Sequence, residues 1–316
     1  MNNPSVLIIS NSLDFTTDYV CVELEARKIP YLRLNRDEFD KYNIRLEVKD
    51  TSLFVNIKDR DYWITERDLI SIYYRAPIYL RDIYQTNIET EEQLYRTQWT
   101  SFIRNLSIFE DVRWLNNPTS TFKAENKILQ LKYAQLIGFD YPDTTVLNST
   151  YGVQLVDNKK YIVKSLDTAV LKIEDNEAFV YSMALFGREI KESNLRSSPV
   201  ILQEYIEPKV DIRVTVIKKE IYAVKILKEN KGIKGDWRLH KYSLSYIPIE
   251  IPFDIANKCR EILEKFDLAF GAIDLAKSGD KYYFIEVNPT GEWAWLVDNA
   301  NQLIFKSICD YLERVD

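Results

Sequence analysis

The chain opens on an unbroken apolar run at residues 6–9, which predicts a strand buried on both faces. A polar turn at 11–14 leads into a predicted helix over 17–27, and Pro30 precedes a second strand at 31–34. Short alternating pieces at 46–48, 53–57 and 62–64 predict a β-rich insertion, and 70–74 another strand, ended by Pro77. Residues 90–106 then place Leu94, Trp99, Phe102, Ile103 and Leu106 at helical intervals. Alternating strands and helices of this kind predict a small α/β lobe with a largely parallel sheet.

Trp114-Leu-Asn-Asn-Pro118 reads as a boundary, because Asn and Pro interrupt whatever precedes them. Beyond it one amphipathic helix is predicted over 121–137, carrying Ile128, Leu131, Ala134 and Ile137 and closed by Gly138. Strands are predicted at 161–164 and 169–173, with a helix at 178–186. From residue 200 the pattern turns strongly to strand, at 200–205, 212–217, 221–226, 270–276 and 282–287. Helices at 255–266 and 301–314 complete the chain. The expected organisation is an N-terminal α/β domain over 1–118, a central subdomain over 119–199 and a C-terminal subdomain over 200–316.

Composition narrows the class. The 316 residues are 46% hydrophobic and 28% charged, an ordinary globular balance. No apolar run reaches the ~20 residues a membrane span needs, and the start MNNPSVLIIS lacks the basic end and cleavage site of a signal peptide. Cys21, Cys259 and Cys309 form neither a disulfide framework nor a zinc set, which points to a reducing cytoplasm. A net charge of −6 leans away from nucleic acid as partner. His240 is the single histidine and reads as structural, leaving no Ser-His-Asp or Cys-His machinery to consider.

Chemistry concentrates near the C-terminus. In Gly271-Ala-Ile-Asp-Leu-Ala276 alternation puts Ala272, Asp274 and Ala276 on one strand face. In Phe284-Ile-Glu-Val-Asn-Pro289, Glu286 and Asn288 share a face, and Ser278-Gly-Asp-Lys281 between them signals a hairpin. A two-residue turn at Gly279–Asp280 would pair Asp274 with Ile285 and send Asp274 and Glu286 to opposite faces. An odd-numbered loop centred on residue 280, with a bulge, pairs them directly, and that register is the one expected. Two carboxylates and a carboxamide are hard oxygen ligands suited to magnesium, which completes its shell with water and phosphate. Asp274 taken alone would be a solvated hairpin side chain; three ligands followed by Asn-Pro-Thr-Gly are not.

These residues resemble the metal-binding end of the ATP-grasp ligases. Gln203-Glu-Tyr-Ile206 followed by Asp211-Ile-Arg-Val214 is similar to their adenine hinge and phosphate-facing strand. Lys127 and Lys164 resemble the two lysines that hold nucleotide phosphates. Tyr74-Arg-Ala-Pro77, Asp236-Trp-Arg238 and Asn288-Pro-Thr-Gly-Glu-Trp293 resemble the microviridin-type branch, the graspetide synthetases, which cross-link side chains of ribosomal peptides. The resemblance implies an ATP-grasp fold with an N-terminal α/β lobe, a small central α+β lobe and a C-terminal antiparallel-sheet lobe. ATP and magnesium are the implied cofactors. Asp274, Glu286 and Asn288 would bind the metal, and Arg213 and Arg238 would flank the transferring phosphoryl group. Lys127, Lys164, Gln203, Glu204, Ile206, Asp211 and Lys225 would line the nucleotide, with Glu204 the preferred side-chain contact to adenine or ribose.

One departure is that Ser165-Leu-Asp-Thr-Ala169, after Lys164, has no glycine where many relatives have a phosphate-cradling loop. Residues 228–234 are expected to form a solvated, mobile loop suited to a flap. Trp295 is expected to pack; for Trp293 packing and a place in the acceptor-peptide cavity both stay open. The implied partner is a precursor peptide with a leader and an acidic core, and relatives suggest a homodimer. Three functions compete: a peptide macrocyclase, a ligase adding a free amino acid or amine to a carboxylate, and a nucleotide-binding module without catalysis.

Overall fold

Val6–Ser10, buried at all five positions, forms the interior of a four-stranded parallel sheet. The computed structural model describes residues 2–75, 89–167, 170–173 and 176–313. Tyr31–Asn35 flanks the first strand on one side, with Ser71–Tyr74 and then Arg113–Leu115 on the other. Asp14 at the end of the first strand caps the helix Phe15–Ala26, accepting from the backbone N–H groups of Thr16 and Thr17. The β-rich insertion is a three-stranded antiparallel sheet of Asn43–Glu47, Ser52–Ile57 and Arg60–Thr65. Phe39 stacks on Trp99 at 4.5 Å, and Leu53, Val55, Ile64 and Ile103 fill the same core.

Beyond residue 118 all described sheets are antiparallel. Met183–Phe186, Lys160–Lys164, Val200–Glu204 and Thr144–Leu147 make a four-stranded sheet, with Val170–Ile173 and Asn176–Phe179 as a separate hairpin. The larger sheet runs Leu244–Pro248, Glu220–Lys228, Val210–Ile217, Phe270–Ser278 and Lys281–Asn288. One face of it packs on the helix Phe253–Lys265 through Ile255, Cys259, Ile262 and Leu263. Its other face shares a core with the first lobe, in which Val6, Ile8, Val20 and Leu24 meet Phe270, Ala272, Trp293, Ile304 and Ile308. Among the described residues no helix is long and apolar enough to cross a membrane.

The structure corrects three predicted elements. The single helix expected over 121–137 is two, Pro118–Ala124 and Lys127–Leu136, because the Asn126 side chain accepts from Leu129 N–H and starts a new helix. Gly138 then ends it with φ +75°. The helix expected over 178–186 is strand: Met183–Phe186 pairs with Lys160–Lys164, a short apolar stretch whose period does not distinguish the two forms. The last helix, expected over 301–314, starts only at Ile304, because Asn301 at φ 51° ends a preceding short helix, Ala294–Ala300, that the sequence pattern did not predict. Ala169 and Arg314, ends of two expected elements, lie outside the described residues.

The critical hairpin is also built differently from expectation. Ser278 pairs with Lys281, so the turn is the two-residue Gly279–Asp280, and this register runs to Leu275↔Phe284. It then shifts by one, and Asp274 pairs with Glu286. Ile285 is the extra residue of a bulge within the strand. Asp274 and Glu286 therefore face the same way, as expected, but the odd residue lies beside the acids and not in the loop.

Replacing Asn126 by Ala is expected to lower stability by about 1 kcal/mol, the usual worth of an N-cap, in chemical denaturation.

Candidate active site

Three adjacent strands set the charged centre of the site in a row. Arg213 lies opposite Asp274, and Asp274 opposite Glu286. Arg213 Nη1 donates to Asp274 Oδ1 at 2.9 Å; Arg238 Nη2 donates to Asp274 Oδ2 at 3.0 Å and Glu286 Oε1 at 2.7 Å. Arg238 is itself oriented by Asp236, whose carboxylate accepts from its backbone N–H at 3.0 Å and from Nη1 at 3.3 Å. Burial alone would raise the Glu286 pKa, but Arg238, Lys164 and Lys127 hold it well below the usual carboxylate range. Asn288 follows on the same face opposite Ala272, its side-chain oxygen accepting from Thr290 N–H at 3.0 Å. Two ionised carboxylates and a carboxamide on one exposed-edged strand pair fit magnesium, leaving ligand positions for phosphate and water.

One lysine, Lys164, comes from the smaller sheet, and the other, Lys127, from the start of the helix Lys127–Leu136. Burial lowers the Lys164 pKa, while the facing Glu286 and Asp274 favour its charged form. Lys127, in the first turn of its helix, donates to the Ser165 carbonyl at 3.5 Å. Ser165 in turn hydrogen-bonds the carbonyl of Asp167, so this hydroxyl folds its own loop. Thr168 and Ala169 of the glycine-free loop lie outside the described residues. Gln203 Nε2 donates to Thr144 Oγ1 at 2.8 Å, and Glu204 N–H donates to the Asp143 carbonyl at 2.8 Å. Gln203, Glu204, Tyr205 and Ile206 thus continue a strand along the cavity wall.

Asp211 shares the face of Arg213, and burial pushes its carboxyl up to about 6 against the pull of Lys209, whose ammonium lies 2.5 Å from it. Lys225 is a correction. It pairs with Ile212, one position out of phase with Arg213↔Val224, so its side chain leaves the opposite sheet face and does not line the cavity. The loop over 228–234 is solvated as expected at 229–232 and Lys234, but it is also anchored, since Lys228 and Lys231 bridge each other and Ile233 is buried. A side chain at Gly232 would come within 1.9 Å of the Lys209 carbonyl, which shows how closely this loop packs. His240 is structural, with Nδ1 3.3 Å from Lys228 Nζ.

All the other expected site residues line one cavity of about 870 Å³. Pro142, Ile162, Tyr205 and Ile206 contribute to its apolar lining on the hinge strand; Trp237, Leu244, Tyr246 and Trp295 form a second apolar region. The ring of Trp295 lies 4.7 Å from Tyr246 and 5.8 Å from Trp237. Trp295 packs as expected, against Tyr246 and Trp237, but it also lines the cavity, and Trp293, undecided in the sequence, is core. Trp293 is fully buried beside Tyr19 at 6.2 Å, and Trp295 faces the cavity.

Sequence reading missed the residues that hold the 287–292 segment. Gln130 accepts from Val287 N–H at 2.9 Å and donates to its carbonyl at 2.8 Å. Asn116 donates to the carbonyls of Pro289 and Phe270, both at 2.9 Å, and accepts from Ala269 and Phe270 N–H. Arg75, buried and paired with Asp14 at 3.1 Å, donates to the Thr290 carbonyl and the Glu292 carboxylate. In the sequence Asn116 reads only as part of the Asn-Asn-Pro118 boundary, and nothing singles out Gln130. At Gly291 a Cβ would stand 2.5 Å from Ala272 Cβ and 3.0 Å from Arg213 Nη2.

Gly291→Ala is therefore expected to displace Arg213 or the loop and weaken magnesium-nucleotide binding at least tenfold in calorimetry. Asp14→Asn is expected to cost about 2 kcal/mol at neutral pH, because Arg75 loses its buried anionic partner and keeps only the exposed Glu292 carboxylate. Arg75, Thr17 and Ser10 outweigh burial and lower the Asp14 pKa from its ordinary 3.8. Its stabilisation is thus complete above that value and lost as pH falls through the lowered one, so denaturation curves of the two proteins should converge in acid.

No family model matches the sequence, and no curated protein matches it. Solved structures do. A RiPP-associated ATP-grasp ligase of Chryseobacterium gregarium, in complex with ADP and a leader and core peptide, is similar with a TM-score of 0.83 at 26% identity, covering 99% of this chain and 96% of that one. The macrocyclase MdnC of Microcystis aeruginosa MRC, bound with precursor peptide MdnA, gives 0.81 at 20% identity over 97% and 98%. The ligase PsnB, complexed with a phosphomimetic minimal precursor, Mg and ADP, gives 0.75 at 18% over 99% and 98%. At these last two identities the likeness speaks for the fold. The chain has the ATP-grasp fold, with a parallel N-terminal sheet and antiparallel sheets beyond it, and over its full length it matches ligases of the RiPP-associated and microviridin-macrocyclase kind.

Proposed function

We propose that this protein is an ATP-dependent ligase that joins side chains of a ribosomally made precursor peptide. It activates an Asp or Glu carboxylate as an acyl phosphate and transfers the acyl group to a Thr or Ser hydroxyl or a Lys amine. The observation that carries this reading is the cavity itself. One apolar region lies along the Gln203–Ile206 backbone, as an adenine requires, and a second, aromatic one is formed by Trp237, Tyr246 and Trp295. The cationic centre formed by Lys127, Lys164, Arg213 and Arg238 lines the same cavity. A nucleotide has no use for the aromatic region, whereas a peptide side chain does. Full-length likeness to a ligase solved with ADP, leader and core peptide supports the same assignment.

In this reading Asp274, Glu286 and Asn288 would hold magnesium, which when bound supplies charge neutralisation at the phosphates. The protein's own cations act around it. The substrate carboxylate oxygen attacks the γ-phosphorus and ADP departs; charge on the transferring group is met by Arg213 and Arg238, which Asp274 and Asp236 hold in place. The acceptor oxygen or nitrogen then attacks the acyl carbon, phosphate leaves, and the acceptor loses its proton. Lys164 faces the phosphates from the smaller sheet and Lys127 from the start of its helix. Asp211, bound by Lys209, keeps that ammonium on the cavity wall beside the hinge. The division expected at 118 is kept in this reading, whereas the one expected at 199 moves beyond Glu204, because Val200–Glu204 pairs with Thr144–Leu147 and Lys160–Lys164 in the smaller sheet. Nucleotide would be held between that sheet and the larger one.

Incubation with the co-encoded acidic peptide, ATP and magnesium should release ADP and lower the peptide mass by one water per bond, read by mass spectrometry. A mass gain equal to an amino acid would replace this reading with free amino-acid ligation, and no ADP with any peptide would leave a binding module. Arg213→Ala and Asp274→Asn are each expected to lower turnover about a hundredfold or more.

A further inference from the structure

Arg75 belongs to the parallel-sheet lobe, yet two of its three partners are in the segment that follows Asn288. Its side chain is 5% exposed. Nε bonds Asp14 at 3.1 Å, Nη1 the Thr290 carbonyl at 3.0 Å and Nη2 Glu292 Oε1 at 2.9 Å. Thr16 Oγ1 holds the other Glu292 oxygen. The Glu292 carboxylate is thus gripped from the first lobe on both oxygens although its side chain is 65% exposed. Its backbone carbonyl meanwhile accepts from Arg213 Nη2 at 3.3 Å and from Trp295 Nε1 at 3.1 Å. Arg213 is the residue paired with Asp274, Trp295 belongs to the aromatic region, and Thr290 N–H holds the Asn288 side-chain oxygen. Two residues, Thr290 and Glu292, therefore connect Arg75 to an arginine, a carboxamide and an aromatic wall of the cavity.

We infer that Arg75 is a positioning residue that, acting through Thr290 and Glu292, sets Asn288 and Arg213 for the magnesium-nucleotide complex. A purely structural role would need no link through an exposed carboxylate. Asn116 and Gln130 already anchor the same segment by its backbone, and neither grips a side chain within it. Arg75 alone of the three does so, at the residue whose carbonyl also orients Arg213. The inference rests on the ligase reading above.

The test compares wild type, Glu292→Ala, Arg75→Met and Arg75→Lys by calorimetry of ADP with and without magnesium and by amide exchange of residues 289–293 in metal-free protein. Glu292→Ala removes an exposed side chain and leaves the core untouched, so it keeps the test open should Arg75→Met fail to fold. Expected for Glu292→Ala is a weakening of magnesium-dependent ADP binding by about tenfold. ADP affinity in chelator should be unchanged and exchange at 289–293 faster. Arg75→Met should exceed it, and Arg75→Lys, which keeps the charge and fewer donors, should fall between. Wild-type binding and exchange in Glu292→Ala would overturn the inference while leaving the ligase intact. Absence of magnesium-dependent ADP binding in the wild type would remove both.

Discussion

Two carboxylates set side by side in a low-dielectric cleft repel each other, and the site depends on how that repulsion is met. Arg238 touches both Asp274 and Glu286 with a single nitrogen, and Arg213 takes the remaining oxygen of Asp274. With the lysines adding to their field, Glu286 stays ionised in spite of burial. The result is a cluster in which every anion has a cation at hand, so that the proposed nucleotide and metal would enter a nearly neutral environment and not a strongly charged one. Reaction chemistry can then proceed by exchange of partners among groups already in place, with little reorganisation.

That arrangement is not self-supporting. The last residues of the Lys281–Asn288 strand lie at the sheet edge, where no further strand completes their hydrogen bonds. Side chains supply what a ladder would have given: Gln130 at Val287, Asn116 at Pro289, Arg75 at Thr290. All three precede residue 131, while the acids they support follow residue 273. The continuous core between the parallel sheet and the larger antiparallel one holds these distant parts of the chain in contact.

Much of this was legible in the sequence because it depends on periodicity and local spacing. Residues 6–9 are an unbroken apolar run and 270–276 are apolar but for Asp274, and the pairing of Asp274 with Glu286 follows from the need for a shared face. What was not legible depends on long-range packing. Nothing near Trp293 or Trp295 tells which one turns inward, since Tyr19 and Tyr246 choose for them. Lys225 looked like a site lysine by its neighbourhood in sequence, and one position of phase on its strand sends it away. Asn126 shows the limit of periodicity itself, where an apolar stripe continues across a break that a single side chain imposes.

The bulge at Ile285 separates two requirements that a hairpin normally ties together. An uninterrupted ladder passes any change at its turn along to every pair above it, because register is counted from the turn. Here the count begins afresh between Leu275 and Asp274, and the pairs on the far side are fixed by the sheet interior and by Gln130. The Gly279–Asp280 tip is thereby insulated from the acids by a stretch of ordinary strand. It offers a place where a fluorophore or affinity tag could be inserted and report on the protein without disturbing what the cavity does.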